Sequence, residues 1–139
     1  MKAYRHGEMI LIPVPENLEY IWQSLYQQTG WKMPEPRVIA EGEVTGHKHE
    51  FTGGKVNTAV LGDSSAAVKD PTGTRYINRR SFLRELGIAA SAGPVILVEI
   101  AQAATLKHPE HNSLRLPPGR YVTYPQREYD EEMTRRVID

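Results

Sequence analysis

Glycine and proline cut this chain into pieces no longer than a strand or a short helix. Among 139 residues there are 11 Gly and 10 Pro, and the apolar segments repeatedly end on one of them. Both residues interrupt regular structure, so short elements joined by turns are expected. Residues 8–14 (EMILIPV) read as a first strand, stopped by Pro13 and Pro15. Residues 17–29 place Leu18, Ile21, Trp22, Leu25 and Tyr26 at three- and four-residue steps. That spacing makes one apolar stripe on a helix, with Gly30 as its stop and Trp22 in the core.

Residues 37–44, 55–61, 74–78 and 120–124 read as further strands, the third of these marginal. The strongest β signal runs over residues 94–106, rich in Val, Ile, Leu and Thr. A short helix is expected over 81–87, with Ser81 as N-cap and Gly87 at its end. Its neighbours Arg75, Arg79, Arg80 and Arg84 read as a solvated face. About six or seven short strands with two helices set between them indicate a mainly β fold, a small antiparallel β-barrel or sandwich. The length suits one domain over residues 1–139. The longest apolar stretch, residues 94–100, is too short to span a membrane, and the first residues lack a signal-type apolar run. A soluble, cytoplasmic domain is the expectation.

Composition narrows the chemistry. The chain has no Cys, which removes disulfides, thiolate zinc sites, iron–sulfur clusters and Cys nucleophiles. The 17 Lys and Arg balance 17 Asp and Glu, which argues against a protein that coats nucleic acid by bulk charge. Gly53-Gly54 and residues 62–65 (GDSS) fit neither phosphate-loop nor serine-hydrolase spacing and read as turns.

Four of the five His stand in two pairs, His47-Lys48-His49 and His108-Pro109-Glu110-His111. In a strand, positions i and i+2 face the same way, so His47 and His49 can aim at one point. An i, i+3 pair converges on a helical turn or a tight loop, and Pro109 favours a bend. Imidazoles are the natural transition-metal ligands of a cysteine-free chain. The four are candidate ligands for a divalent ion, Zn²⁺ first, with Fe²⁺, Mn²⁺ and Ni²⁺ as alternatives. Glu50 and Glu110 are candidate bases for metal-bound water, and Arg120 and Arg127 candidate contacts for a substrate anion. His6, beside Arg5 and Gly7, reads as an exposed terminal residue outside this set.

Two resemblances bear on these segments. Gly42 with His47 and His49 resembles the first metal motif of cupins, and Pro117-Pro118-Gly119 resembles part of the second. This implies a cupin-like barrel with His47 and His49 as ligands. Thr52, Gly53 and Gly54 stand where its Glu belongs and Val122 where its third His belongs, so the remaining ligands have no counterpart. More of the chain, through residues 42–50 (GEVTGHKHE), 108–121 (HPEHNSLRLPPGRY) and 126–130 (QREYD), resembles a family of small uncharacterised bacterial and phage proteins. That resemblance implies that the motif segments belong together and implies no activity.

Three functions follow as expectations. The first is a small metal-dependent hydrolase acting on a small molecule or phosphoester. The second is a metal-independent phosphodiesterase or ribonuclease that uses the same His, with Lys107, Arg120 and Arg127, for acid–base catalysis. The third is a non-enzymatic structural or interaction protein in which a metal staples a loop-rich core. No membrane partner is expected, and a homo-oligomer is left open, with Trp31 as a candidate contact.

Overall fold

A computed structural model describes residues 3–29, 33, 35–41, 46–61, 68–69, 72–73, 76–88 and 94–125. The chain begins with a hairpin of β1 (Tyr4–His6) and β2 (Met9–Pro13). A 3₁₀ turn (Glu16–Leu18) leads into helix α1 (Glu19–Thr29). Then come β3 (Val38–Glu41), β4 (Lys48–Thr52), β5 (Lys55–Val60), the small pair β6 (Val68–Lys69) and β7 (Tyr76–Ile77), and helix α2 (Arg79–Glu85). The last strands are β8 (Ile96–Gln102), β9 (Ala104–His108), β10 (His111–Leu116) and β11 (Gly119–Pro125).

These strands form two antiparallel sheets, β1-β2-β11-β8-β5 and β10-β9-β4-β3. Alternation along each strand explains how they stack. Met9, Leu11, Ile96, Val98, Ile100 and Tyr121 of the five-stranded sheet pack against Ile39, Phe51, Ala104, Leu106 and Leu116 of the four-stranded one. The intervening residues Ile10, Ile12, Leu97, Val122 and Tyr124 face the other way, onto Leu18, Ile21, Trp22 and Leu25 of the first helical segment and Phe82 and Leu83 of α2. The five-stranded sheet is therefore covered on both faces. This is why β2 and the first half of β8, Ile96 to Val98, read as continuous apolar runs, whereas β4, covered on one face, alternates buried His49 and Phe51 with exposed Glu50 and Thr52.

The fold is the expected mainly β sandwich with two helices. It is not a closed cupin-like barrel among the described residues: β1 and β5 edge one sheet, β10 and β3 the other. At one end β1 and β10 approach each other without pairing. The run expected as one strand over 94–106 is two, because the chain crosses between sheets at Ala103. Gly54 in the β4–β5 turn lies against that corner, where a side chain would meet the Ala103 carbonyl. Helix α2 starts earlier than expected: Asn78, not Ser81, is the N-cap, its Oδ1 accepting from the Ser81 backbone N–H at 2.9 Å. No helix among the described residues is long and apolar enough to cross a membrane. Gly30, Trp31, residues 42–45, 62–65 and Arg75, and the segment from residue 126 onward that includes Arg127, lie outside the described residues.

Candidate metal centre

The second His pair flanks a hairpin. His108 ends β9, His111 begins β10, and the two are cross-strand partners around Pro109-Glu110. Proline suits the first central position of such a turn. No described non-glycine residue has a positive φ, so the turn is not one of the primed types that match strand twist. An unprimed turn splays its strands, and the register slips between His111 and Leu114. Strand β4 lies on the other side of β9, with Phe51 opposite Leu106. Alternation turns His49 inward with Phe51. Three adjacent strands thus deliver His111, His108 and His49 to one end of the sandwich, where a ligand atom from each lies within 4.8 Å of the others. Ring centroids are 4.4 Å apart for His49–His108 and 4.5 Å for His108–His111.

The β1–β2 hairpin closes over this end. Its two-residue turn is Gly7-Glu8, with Gly7 at φ +60°, the Gly-X pattern of a tight hairpin. His6 opposes Met9 and so faces the sandwich interior. It is 2% exposed, against the expectation of a free terminal residue. Pairing of β1 at the sheet edge is what carries it inward. Its Nδ1 lies 2.8 Å from Nδ1 of His49. On the other side of His49, Nε2 lies 3.0 Å from Glu8 Oε1, while Glu8 Oε2 is 3.9 Å from His111 Nε2. His47 joins at the rim, its ring 5.7 Å from that of His108 and its Nδ1 3.2 Å from Glu110 Oε1. All five His of the chain therefore meet in one cluster with two carboxylates.

The Glu8 carboxylate only accepts, so His49 donates to it through Nε2–H and its Nδ1 accepts from His6 Nδ1–H. Ligation of an ion through His49 Nε2 reverses this: His49 Nδ1–H then donates to His6 Nδ1, and the His6 proton moves to Nε2. His108 Nδ1 accepts from the Glu110 backbone N–H at 3.1 Å. Ligation through either His108 nitrogen gives up that bond, a cost of about 1 kcal/mol, small beside a metal–imidazole bond.

Burial sets the charge states. Desolvation, then the neighbouring His49, holds His6 down to about 4; the Asn112 backbone carbonyl opposes this. His49 is also lowered, by burial first, against the pull of Glu8. Burial pushes the Glu8 carboxyl up, but its own backbone N–H and His49 outweigh this and the net shift is down. Above pH 6.5 His6 is neutral both folded and unfolded. Between 6.5 and about 4 only the unfolded chain takes up its proton, so stability falls with pH. The metal-free protein is expected to lose up to roughly 3 kcal/mol over that window, and His6→Leu to show a shallower fall in urea titrations. Equal slopes in the two proteins would rule His6 out as the cause.

The structure sorts the candidates by face. Glu110 is at the cluster. Glu50 is not: it points away from His49 on β4, and its cross-strand partner is Lys107. It lines an open groove of about 470 Å³ on the outer face, with Gly46, His47, Lys48, Thr52, Lys107, His108 and Pro109. Arg120 is also elsewhere. It shares the helix-covered face with Val122, stacks 5.2 Å from the Trp22 ring and pairs with Glu99 at 3.4 Å. The carboxylate that sequence reasoning missed is Glu8; its signal was the Gly-X pair between Tyr4-Arg5-His6 and the first apolar strand.

A family model described as a domain of unknown function (DUF8820) matches residues 5–126. The chain belongs to this family. The match runs from β1 through β11, so the DUF8820 domain contains all five His and both carboxylates of the cluster. No curated protein and no solved structure matches the chain.

Proposed function

We propose that this DUF8820 chain is a metal-dependent hydrolase whose divalent ion is held by His49, His108 and His111, with Glu8 as the base. The observation that carries the reading is the convergence of three His ligand atoms within 4.8 Å. Tetrahedral zinc places its nitrogen ligands about 3.3 Å apart, so side-chain rotation within the cluster completes the site. Three imidazoles leave one position for water, the arrangement of catalytic rather than closed structural zinc sites. Zn²⁺ is the first choice for an all-His set, with Fe²⁺, Mn²⁺ and Ni²⁺ as alternatives. Glu8 is half-exposed and sits beside two of the ligands, where it can take a proton from metal-bound water. His6 orients His49 from the buried side.

The test is hydrolysis of bis-p-nitrophenyl phosphate and p-nitrophenyl esters by tag-free protein, stripped with chelator and reloaded with each metal. Turnover is expected only after loading. Glu8→Gln should lower it by about 100-fold or more while the metal content holds. Turnover that survives chelation would instead favour metal-free His acid–base chemistry. Tight metal with no turnover on any ester, and a melting temperature that collapses on chelation, would favour a structural staple.

A further inference from the structure

Three of the five His suffice for the ion proposed above, and His6 is buried behind His49. That leaves His47 and Glu110, which belong to neither role. His47 Nδ1 and Glu110 Oε1 are 3.2 Å apart. Two ligand atoms bound to the same ion at about 2.0–2.2 Å each are separated by about 3 Å. The pair is thus already spaced as neighbouring ligands on one ion. His108 stands between this pair and the first site: its ring is 5.7 Å from His47 and within 4.5 Å of both His49 and His111. The outer groove opens onto His47 and His108, which leaves room for water and an incoming ligand.

We propose that His47 and Glu110, next to His108, form a second divalent-cation site, so that the cluster binds two ions. The two carboxylates are divided between them, Glu8 beside His49 and His111, Glu110 beside His47. The second site is the weaker of the two, because Glu110 is 61% exposed and its ion keeps most of its water. Paired ions of this kind clamp the attacking and leaving oxygens of a phosphoester. The proposal rests on the first site only in that His108, whose one imidazole lone pair serves the first ion, stands between the two; His47 and Glu110 alone hold the second ion and water completes its shell.

The experiment is calorimetric titration of stripped, tag-free protein with Zn²⁺ and with Mn²⁺, with bound metal counted by plasma mass spectrometry. Wild type is expected to bind two ions per chain, the second about 10- to 100-fold more weakly. Glu110→Gln and His47→Phe should each bind one, with the tight affinity unchanged. Both changes lie on the rim, and circular dichroism checks that the fold persists. One ion in wild type and in both variants would overturn the proposal and leave His47–Glu110 an ordinary ion pair. No ion in wild type would overturn it together with the first site, a distinct result.

Discussion

Alanine at His49 is expected to lower divalent-metal affinity by about 100-fold or more, the largest loss from any single change in the cluster. His49 is 1% exposed, touches His6 through Nδ1 and Glu8 through Nε2, and its ring adjoins those of His108 and His111. Truncation removes a ligand and leaves buried His6 without its hydrogen-bond partner. The second effect costs about 1–3 kcal/mol of stability. The two effects separate by experiment. Metal affinity is read by competition with a chromophoric chelator, and stability by urea unfolding of the stripped protein. A variant that keeps wild-type affinity would remove His49 from the ligand set.

Gly7→Ala is expected to act on the same site through the backbone. Gly7 holds φ +60°, and a Cβ there would run into the His111 ring. A left-handed φ costs an L-residue about 1–2 kcal/mol. The collision adds a displacement of His111 and with it a loss of metal affinity of about 10-fold or more. Gly53→Ala is the control: its φ is +71° with nothing within 4 Å of the added methyl. It should lose comparable backbone stability while binding metal normally. If both variants bind metal alike, the β1–β2 turn does not support His111.

How much of this was legible depends on whether the information was local. The HPEH pair was legible in part: its spacing leaves a helical turn or a tight loop open and Pro109 favours a bend, and strand pairing makes it a two-residue hairpin loop. The stripe of Leu18, Ile21, Trp22 and Leu25 was also readable, because helix periodicity reports a buried face directly. Closeness in sequence to His49 does not make Glu50 close in space: one step along a strand reverses the face, and Glu50 lines the outer groove with His47 and His108 instead. Arg120 is likewise placed by strand alternation: it joins the helix-covered layer of Val122, two residues on. His6 and Glu8 depended on a strand pairing at the edge of a sheet. A three-residue strand carries little pattern of its own, and only the Gly-X turn before Met9 marked it. That the motifs come together at the mouth of a sandwich, not inside a barrel, is set by how two sheets stack, which no single segment encodes.

The measurement that bears most directly on the metal centre is zinc loading of chelator-stripped, tag-free protein, counted per chain and followed by thermal unfolding. The account predicts at least one tightly held ion per chain and a higher melting temperature. At a free zinc concentration 100 times the dissociation constant, the gain is about 2.7 kcal/mol. Both should be absent in a His49→Ala/His111→Ala variant. Wild-type protein that takes up no more zinc than this variant and melts at the same temperature with or without it would contradict the account.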